Sequence, residues 1–275
     1  MQKIAITGAS GLIGSRVIEL LQDTVSFIPL RQTDMDVTDE QSVDKALSGL
    51  DYDILLHCAG YTNVEGAETE RDQAYNLNVT GTKNILATIE KSKKKMMYIS
   101  TDFVFDGTNP PYDETSTPNP LGYYAQTKYE GEKLLTDKAM IVRISYPYGY
   151  SPAPKADFAH KIAALIQDEK PLHMIQDAMI TPTYIDDIVY GLQHLFNHFS
   201  PSIYHLVGSE SISPYDSGRI IAREFGLSEK LVKPTTFKEF TQGKAPRPQY
   251  SEIVSKTNDF YPMKSFSEGI IQLFS

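Results

Sequence analysis

Tyr124 and Lys128 stand four residues apart in the segment GYYAQTKYEGE, a spacing that places both side chains on one face of a helix. A phenol is a poor proton donor at neutral pH, and a nearby ammonium group lowers its pKa by favouring the phenolate. Tyr123 lacks this arrangement, since Thr127 follows it by four residues. In a chain with 17 tyrosines the pattern arises readily by chance, so its weight depends on its surroundings.

The glycines of the opening segment KIAITGASGLIGSRV stand where a predicted strand turns into a predicted helix. Gly8 permits the tight turn, Gly11 lets the backbone approach a pyrophosphate, and Gly14 lets the helix pack closely on the strand. The helix N-terminus then offers unpaired N–H groups to phosphate oxygens. A glycine triplet alone is weak support, but this one follows the first strand directly and therefore predicts a dinucleotide site.

The end of the second predicted strand indicates which dinucleotide is bound. The segment FIPLRQTDMD places Arg31 there, and its first acidic residue is Asp34. A site that prefers NAD carries Asp or Glu at this point to bind the ribose 2′-hydroxyl, whereas a guanidinium suits a 2′-phosphate. The alternative is that Arg31 is an ordinary surface residue. We predict NADP(H) as the cofactor and leave the use of NAD(H) open.

The elements that must position these residues alternate along the first half of the chain. Short apolar runs predict strands at 4–7, 26–30, 53–58, 97–100 and 141–145, and amphipathic segments predict helices at 12–22, 40–47, 71–91 and 123–135. This alternation indicates an α/β fold, a doubly wound parallel sheet of the Rossmann type. Ligands of such sheets bind at the carboxyl ends of the strands, where Gly8, Arg31, Ala59, Gly60 and Thr101 are expected.

After residue 149 the alternation weakens, because Pro152, Pro154 and Pro171 interrupt the chain. A helix is predicted at 157–167 and a strand at 204–208. We therefore predict an NADP-binding domain at 1–149, with returning segments around 178–208, and a smaller C-terminal α/β lobe for the substrate at 150–177 and 209–275. The long loop 106–120 lies at the ligand edge, where such loops are often lids.

Composition disfavours several classes of protein. Acidic residues outnumber basic ones by 35 to 26, and the net charge of −9 disfavours nucleic acid or an anionic membrane as a partner. A single cysteine, Cys58, excludes a disulfide framework and a multi-cysteine metal site. No apolar run is long enough to span a bilayer and Met1 leads directly into a strand, so we expect a cytoplasmic protein. His194 and His198 have metal-ligand spacing without an evident third ligand, so we predict no metal site.

Longer segments together resemble one superfamily. TGASGLIG, the pair Asp36 and Val37, HCAGYTNVEGAE (57–68), NLNVTGTKN (76–84), ISTDFVFDG (99–107) and YYAQTK are similar to the extended short-chain dehydrogenases/reductases, and within them to dTDP-4-dehydrorhamnose reductases. RISYPYG (143–149), TPTYIDDI (181–188), YHLVGSESISPYDSGRIIAREFGL (204–227) and RPQYS (247–251) extend the resemblance to nearly the whole chain. It implies NADPH-dependent reduction of a nucleotide-activated 4-keto-6-deoxy sugar.

The resemblance also implies roles for individual residues. Tyr124 would donate a proton to the substrate carbonyl, Lys128 would lower the pKa of that phenol and bind the nicotinamide ribose, and Thr101 would bind the carbonyl oxygen. The other residues expected at the cofactor are Gly8, Ser10, Gly11, Leu12, Ile13, Gly14, Arg31, Asp36, Val37, Ala59, Gly60, Tyr61, Asn78 and Tyr146. The other residues expected at the substrate are Thr62, Val64, Asp102, Phe103, Phe158, Lys161 and Arg247, with Arg247 as a partner for the diphosphate.

Two departures from the superfamily pattern narrow the prediction. Nucleotide-sugar dehydratases carry Thr-Asp-Glu after the fourth strand, but Phe103 stands at the third position here, so the acid/base pair for eliminating water is incomplete. Some rhamnose-pathway reductases carry a Glu shortly after the third glycine that shares a metal at a dimer interface. Ser15 and Arg16 stand there in this chain, which favours a monomer or a weak homodimer.

Two alternative functions stay open. One is a non-catalytic NADP-binding regulatory subunit that resembles the beta subunit of methionine adenosyltransferase, although retention of Thr101, Tyr124 and Lys128 favours chemistry. The other is a nucleotide-sugar epimerase, or a reductase for another sugar. An epimerase would hold its nicotinamide tightly and would need no added reductant.

Overall fold

The computed structural model describes residues 1–274 of the chain. The strands are β1 (Gln2–Thr7), β2 (Val25–Leu30), β3 (Ile54–His57), β4 (Lys95–Thr101), β5 (Met140–Ile144), β6 (Pro147–Tyr148), β7 (Leu172–Ile175), β8 (Met179–Ile180), β9 (Thr183–Tyr184), β10 (Ile203–His205), β11 (Val232–Thr235) and β12 (Tyr250–Ser251). The α-helices are α1 (Leu12–Leu21), α2 (Glu40–Ser48), α3 (Arg71–Tyr75), α4 (Gly81–Ser92), α5 (Tyr123–Leu135), α6 (Phe158–Gln167), α7 (Ile185–Asn197), α8 (Pro214–Glu224), α9 (Phe237–Phe240) and α10 (Phe266–Gln272). The five strands predicted in the first half all form, within two residues of their predicted bounds.

Six strands form the central sheet in the order β10, β5, β4, β3, β1, β2, and every neighbouring pair is parallel. From β1 the chain places β2 on one side and β3 on the other, so the order reverses between β1 and β3. Open parallel sheets bind ligands at such a switch point, outside the carboxyl ends of the strands. The predicted parallel α/β fold is confirmed.

Helices cover both faces of this sheet because its strands are apolar on both sides. Ile4 and Ile6 face one side and pack in one core with α1 and α7, whereas Ala5 faces the other side and packs with α2 and α4. Successive side chains of a strand point to opposite faces, so a strand buried on both faces reads as a continuous apolar run. The cores therefore fix the sheet from both sides and hold its carboxyl edge in place.

The helix predicted at 71–91 is interrupted. Helix α3 is followed by a π-helical turn, Asn76–Thr80, before α4 begins. The amide of Asn78 within this turn is held by the backbone of Tyr61, and π-helical turns of this kind are frequent at functional sites. The prediction of one continuous helix is wrong at this point because a distant hydrogen bond outweighs the local pattern.

A smaller α/β lobe follows the central sheet in the chain. Its parallel pair β7 and β11 packs with α6, α8 and α10 around a core of its own, which includes Ile162, Ile221 and Phe266. The short strands β6 and β9 pair with each other, as do β8 and β12. The smaller C-terminal lobe is thus confirmed as a structure, while the proposed domain boundary at residue 149 stays a prediction.

The loop 106–120 packs against the segment that follows β12. The backbone N–H of Tyr112 donates to the carbonyl of Glu252 at 2.9 Å, and the N–H of Val254 donates to the carbonyl of Tyr112 at 2.8 Å. No residue of this loop lines the cleft described below, and the expectation of a lid stays a prediction. Within residues 1–274 we find no helix with the length and apolar character needed to cross a membrane.

Candidate active site

A cleft of about 1130 Å³ lies at the carboxyl edge of the central sheet, with α6 and the loop before it among its walls. Small-molecule pockets usually measure about 300–1,000 Å³, so this one has room for a dinucleotide together with a substrate. The predicted site residues that line it are Gly8, Ser10, Gly11, Leu12, Ile13, Gly14, Arg31, Asp36, Val37, Ala59, Gly60, Thr62, Val64, Thr101, Asp102, Phe103, Tyr124, Lys128, Tyr146, Phe158 and Lys161. Tyr61, Asn78 and Arg247 lie outside this lining.

The glycine turn between β1 and α1 leaves no space for a side chain at Gly8 or Gly14. Gly8 has a φ of +67°, and a Cβ there would lie 2.7 Å from the backbone N of Ala59. A Cβ on Gly14 would lie 2.4 Å from the carbonyl oxygen of Gly8. Gly11 caps α1 without a side-chain hydrogen bond, so the first N–H groups of the helix stay available for an anion. The turn therefore fits the pyrophosphate of a dinucleotide.

Arg31 lies at the rim of the cleft, directly after β2. Its backbone N–H donates to the Asp34 carboxylate at 3.0 Å, but no carboxylate within residues 1–274 forms an ion pair with its exposed guanidinium. Asp36 also lines the cleft, and its Oδ1 accepts from the N–H and the hydroxyl of Thr38 at 2.9 and 2.8 Å. The free guanidinium can therefore bind a phosphate at the end of β2.

Asn78 holds the loop after β3 from behind the cleft. Its Oδ1 accepts from the N–H of Tyr61 at 2.8 Å, and its Nδ2 donates to the carbonyl of Tyr61 at 3.2 Å and to Oγ1 of Thr127 at 2.9 Å. The hydroxyl of Tyr61 donates to Glu70 at 2.7 Å, and its buried ring packs in a small cluster with Ala67 and Ala74. Asn78 was expected to steady the site and Tyr61 to belong to the loop that lines the cofactor, and the structure places both at this loop, outside the lining of the cleft. Their roles toward the cofactor stay predictions.

Lys128 is buried one helical turn after Tyr124. Its Nζ donates to the backbone carbonyl of Ile99 at 2.8 Å and lies 3.9 Å from the centre of the Tyr98 ring. Burial disfavours the charged form and lowers the pKa of Lys128 to about 7, against a smaller opposing effect of Glu132. The ammonium and the neutral amine are therefore both accessible near neutral pH.

Tyr124 faces the cleft beside Thr101, the last residue of β4. Burial raises the pKa of Tyr124 to about 12, while a hydrogen bond with Thr101 lowers it and the Asp102 charge raises it. The lowering of this pKa expected from Lys128 stays a prediction, since Nζ of Lys128 bonds the Ile99 carbonyl here and burial outweighs the lowering effects. The phenol consequently keeps its proton at neutral pH, which is the form that can donate.

Asp102 is a buried carboxyl group at the floor of the cleft. It accepts from Ser251 Oγ at 2.6 Å and from Thr101 Oγ1 at 3.1 Å. Burial raises the pKa of Asp102 to about 6, against the lowering effect of these hydrogen bonds. Ser251 belongs to β12, and no local signal in the sequence indicates that it reaches β4.

Aromatic rings form one wall of the site. The ring of Phe103 lies 6.1 Å from that of Tyr124 and 6.0 Å from that of Tyr146, and Tyr146 lies 5.6 Å from Phe158. Tyr146 has a φ of +39°, a left-handed conformation that is rare for a residue with a side chain. Such conformations cluster at functional sites, and here one directs a ring into the cleft.

Of the cations predicted at the site, Arg247 alone lies outside the lining of the cleft, and one further cation, Lys155, lines it. Arg247 forms an ion pair with Glu65, and its Nε donates to the carbonyl of Ala245 at 3.1 Å, so its role at the diphosphate stays a prediction. Lys155 lines the cleft, where its Nζ donates to Oγ1 of Thr62 at 3.1 Å. The only signal for Lys155 in the sequence is its place in SPAPKAD, just before α6.

Arg16 and the paired histidines lie outside this site. Arg16 donates through Nε and Nη2 to both oxygens of Asp186 at 2.7 and 2.8 Å, and through Nη1 to Glu19 at 2.7 Å. His194 and His198 stack with ring centres 4.0 Å apart. In the part of the chain that the structure describes, no three or more His, Cys, Asp or Glu side chains gather where they could hold a metal ion.

Known proteins resemble the chain along almost its whole length. The spore coat polysaccharide biosynthesis protein SpsK of Bacillus subtilis is 31% identical over 258 residues, which cover 92% of this chain and 89% of that protein. The dTDP-4-dehydrorhamnose reductase of Mycobacterium tuberculosis is 27% identical over 265 residues, 93% of this chain and 86% of that protein.

A solved structure shows the same fold. The crystal structure of a dTDP-4-dehydrorhamnose reductase from Bacillus anthracis in complex with NADP has a TM-score of 0.91 and 32% identity, and the match covers 100% of this chain and 99% of that one. The family model described as the RmlD substrate binding domain matches residues 1–270. The chain therefore belongs to the RmlD substrate binding domain family.

Proposed function

We propose that this chain is an NADPH-dependent reductase of a nucleotide-activated 4-keto-6-deoxy sugar, with dTDP-4-dehydro-β-L-rhamnose as substrate and dTDP-L-rhamnose as product. One observation carries the proposal: Thr101, Tyr124 and Lys128 line the same cleft as the glycine turn and Arg31. The two dTDP-4-dehydrorhamnose reductases named above support this choice of substrate, and the NADP in one of them supports the choice of cofactor.

NADPH fits the residues at the first half of the cleft. The uncapped N-terminus of α1 and the glycine turn would hold its pyrophosphate, and Arg31 would pair with its 2′-phosphate. Lys128 would bind the nicotinamide ribose through donors that the Ile99 carbonyl leaves free, since an ammonium group has three. When bound, NADPH supplies a hydride for a ketone carbon.

Tyr124 completes the reduction by donating its phenolic proton to the ketone oxygen as negative charge develops there. Burial keeps this proton in place at neutral pH, because it raises the pKa of the phenol to about 12. Thr101 hydrogen-bonds the same oxygen once its hydroxyl hydrogen turns from Asp102 to the ketone, and it orients that oxygen toward the phenol. The ammonium form of Lys128 stabilises the phenolate that the donation leaves behind.

The substrate would occupy the part of the cleft closed by the C-terminal lobe. Phe103, Tyr146 and Phe158 offer aromatic faces against which a sugar ring can pack. Lys155 and Lys161 line the same region and supply positive charge for a diphosphate. This arrangement is consistent with the predicted division into a cofactor domain and a substrate lobe.

The test is an NADPH-oxidation assay of the purified chain across a panel of activated keto-sugars, with dTDP-glucose as a control that has no ketone. We expect oxidation with dTDP-4-dehydro-β-L-rhamnose and a product that NMR identifies as dTDP-L-rhamnose. Binding of NADP(H) without oxidation by any keto-sugar would favour the regulatory subunit. Tightly retained nicotinamide and turnover without added reductant would favour an epimerase.

We also propose that the chain acts as a cytoplasmic monomer or weak homodimer. The pairing of Arg16 with Asp186 and Glu19 speaks against a metal-bridged dimer, because the guanidinium occupies the region where such a dimer would need a free acidic side chain. Analytical ultracentrifugation with and without a chelator tests it. A dimer that dissociates when the metal is removed would contradict the proposal.

A further inference from the structure

His57 is a buried histidine that the mechanism above does not use. It is the last residue of β3 and lies beneath the cleft rather than in its lining. Its Nδ1 lies 2.7 Å from Oγ1 of Thr7, at the end of β1, and its Nε2 lies 3.3 Å from Oγ1 of Thr82, in α4. The ring thus joins two elements that flank the cofactor side of the cleft.

The neighbouring hydrogen bonds determine where the ring carries its proton. The hydroxyl of Thr82 donates to the carbonyl of Asn78 at 2.8 Å, so its oxygen can only accept from His57 Nε2. The N–H of Ala59 donates to the Thr7 oxygen at 3.2 Å, and the Thr7 hydroxyl hydrogen is left to donate to His57 Nδ1. A neutral imidazole with its proton on Nε2 satisfies both contacts.

The hydrogen bonds continue on both sides of the ring. On one side they end at Ala59, which lines the cleft. On the other side Asn78 donates through Nδ2 to Oγ1 of Thr127 at 2.9 Å, and the Thr127 hydroxyl donates to the backbone carbonyl of Tyr124 at 2.8 Å. One series of contacts therefore runs from the loop at the cofactor side to the helix that carries the phenol.

We propose that His57 is a positioning residue of the reductase site, which as a neutral Nε2-protonated imidazole aligns the loop at Ala59 with the helix that carries Tyr124. The inference rests on the proposed function. A displacement of about 1 Å at reacting groups can cost about 100-fold in rate, so a residue behind the cleft can control turnover without touching the substrate.

The surroundings of His57 keep the ring neutral. Burial and repulsion by Lys128 lower the pKa of His57 to about 3. The other titratable groups around it are the buried phenol of Tyr98, whose ring centre is 5.6 Å away, and the adjacent thiol of Cys58, and burial raises the pKa of both. A second ring proton would lie on Nδ1 and face the hydrogen of the Thr7 hydroxyl. None of Lys128, Tyr98 and Cys58 stabilises the positive charge that this proton would bring.

Three substitutions of His57 separate its two contacts. His57→Asn keeps an amide oxygen near the position of Nδ1 but does not reach Thr82, and His57→Gln keeps an amide nitrogen near the position of Nε2 but loses Thr7. His57→Leu removes both contacts. His205→Leu is the matched control, because His205 is equally buried but bonds Val254 and lies outside the cleft.

The readouts are NADP+ affinity measured by calorimetry, kcat for the keto-sugar, and thermal stability. We expect His57→Leu to weaken NADP+ binding and to lower kcat, each by about 10- to 100-fold. His57→Asn should recover NADP+ affinity more than kcat, and His57→Gln should recover kcat more than NADP+ affinity. The His205→Leu control should lose stability while it keeps NADP+ affinity within about twofold.

Wild-type affinity and kcat in folded His57→Leu would overturn the proposal, and so would equal losses of affinity and kcat in His205→Leu. If His57→Leu does not fold, the nearly isosteric Thr82→Val removes the bond between His57 Nε2 and Thr82. We expect this variant to lower kcat more than NADP+ affinity. An unchanged kcat in Thr82→Val overturns the proposal. Imidazole 15N NMR of the wild type should show a protonated Nε2, and a protonated Nδ1 contradicts it. If the wild type reduces no keto-sugar, the proposed function fails, while NADP+ affinity and NMR still decide the placement of His57.

Discussion

The Nζ of Lys128 is bonded to the backbone carbonyl of Ile99 at 2.8 Å, two residues before Thr101. This bond joins α5 to β4 at the wall of the cleft, so the phenol of Tyr124 and the hydroxyl of Thr101 keep a fixed relation. One N–H of the ammonium is used for this purpose, and the remaining donors are free for a ribose. Lys128 therefore contributes to the architecture of the site before any ligand is present.

Replacement of the proton donor tests the proposed chemistry. We expect Tyr124→Phe to lower kcat by about 10²- to 10⁴-fold, because it removes the hydroxyl and leaves the ring in place. The affinity for NADPH should change little. Tyr123→Phe is the matched control, since its ring packs over Arg71 outside the cleft, and it should keep wild-type kcat. Equal activity of the Tyr124 variant would refute the assigned role.

Arg31 should decide between the two nicotinamide cofactors. We expect Arg31→Ser to raise the KM for NADPH by about 10- to 100-fold, since a charge-assisted hydrogen bond to the 2′-phosphate contributes about 1.5–3 kcal/mol. The KM for NADH should stay unchanged. The exposed Arg223, which pairs with Glu224 on α8, provides the control variant Arg223→Ser. An equal rise in the KM for NADPH and the KM for NADH would show that Arg31 does not bind the 2′-phosphate.

The glycine turn should reject even one methyl group. In Gly14→Ala the new Cβ would lie 2.4 Å from the Gly8 carbonyl oxygen, so the turn must shift. We expect a loss of about 1–3 kcal/mol in unfolding free energy and a marked loss of NADPH affinity. Gly49→Ala, where the structure has no atom within 4 Å of the new Cβ, should keep both. Denaturant titration and calorimetry measure the two quantities.

Asp102 should make stability depend on pH in a defined direction. Because its pKa is about 6 in the folded chain against an ordinary value of 3.8, the folded state binds more protons between these values. The unfolding free energy that this group contributes therefore falls as pH rises from about 4 to 6 and stays low above it. Asp102→Asn should gain up to about 3 kcal/mol relative to wild type across this window.

The measurement for Asp102 is urea denaturation from pH 3.5 to 7.5, with the exposed Asp23→Asn as the control. The control should show a constant difference from wild type at every pH. A constant difference for Asp102→Asn as well would mean that folding does not raise the pKa of this carboxyl group.

The two basic positions near the substrate can be compared directly. We expect Lys155→Ala to raise the KM for the nucleotide-sugar by about tenfold, because it removes a cation from the cleft. Arg247→Ala should affect the KM less, since its guanidinium is paired with Glu65. A larger rise in KM for Arg247→Ala than for Lys155→Ala would support the sequence-based prediction that Arg247 binds the diphosphate. Steady-state kinetics with NADPH in excess measures both values.

Local patterns in the sequence predict the parts of the molecule that local physics determines. The apolar run before Gly8 and the glycines after it specify a strand, a turn and a helix within fifteen residues, and the structure contains all three. The spacing of Tyr124 and Lys128 likewise places both side chains in the cleft, since both lie in one helix. Residues close in sequence keep their geometry almost independently of the rest of the chain.

Contacts between distant residues are not predictable in this way. The partners Glu65 of Arg247 and Ser251 of Asp102 lie 182 and 149 residues away in the chain, so no periodicity indicates them. The pKa of Tyr124 depends on where the flexible side chain of Lys128 finds its partner, and that partner is a backbone carbonyl. Each of these three contacts depends on packing that exists only in the folded chain.

The π-helical turn at Asn76–Thr80 sets the rotational phase between two helices. Ala74, before it, packs beside Tyr61, and Ile85, after it, packs under the central sheet. Removal of one residue from the turn would restore a regular helix but would rotate everything beyond it by about 100°. Either Ala74 or Ile85 would then face water, so a deletion in this turn is far more damaging than a substitution.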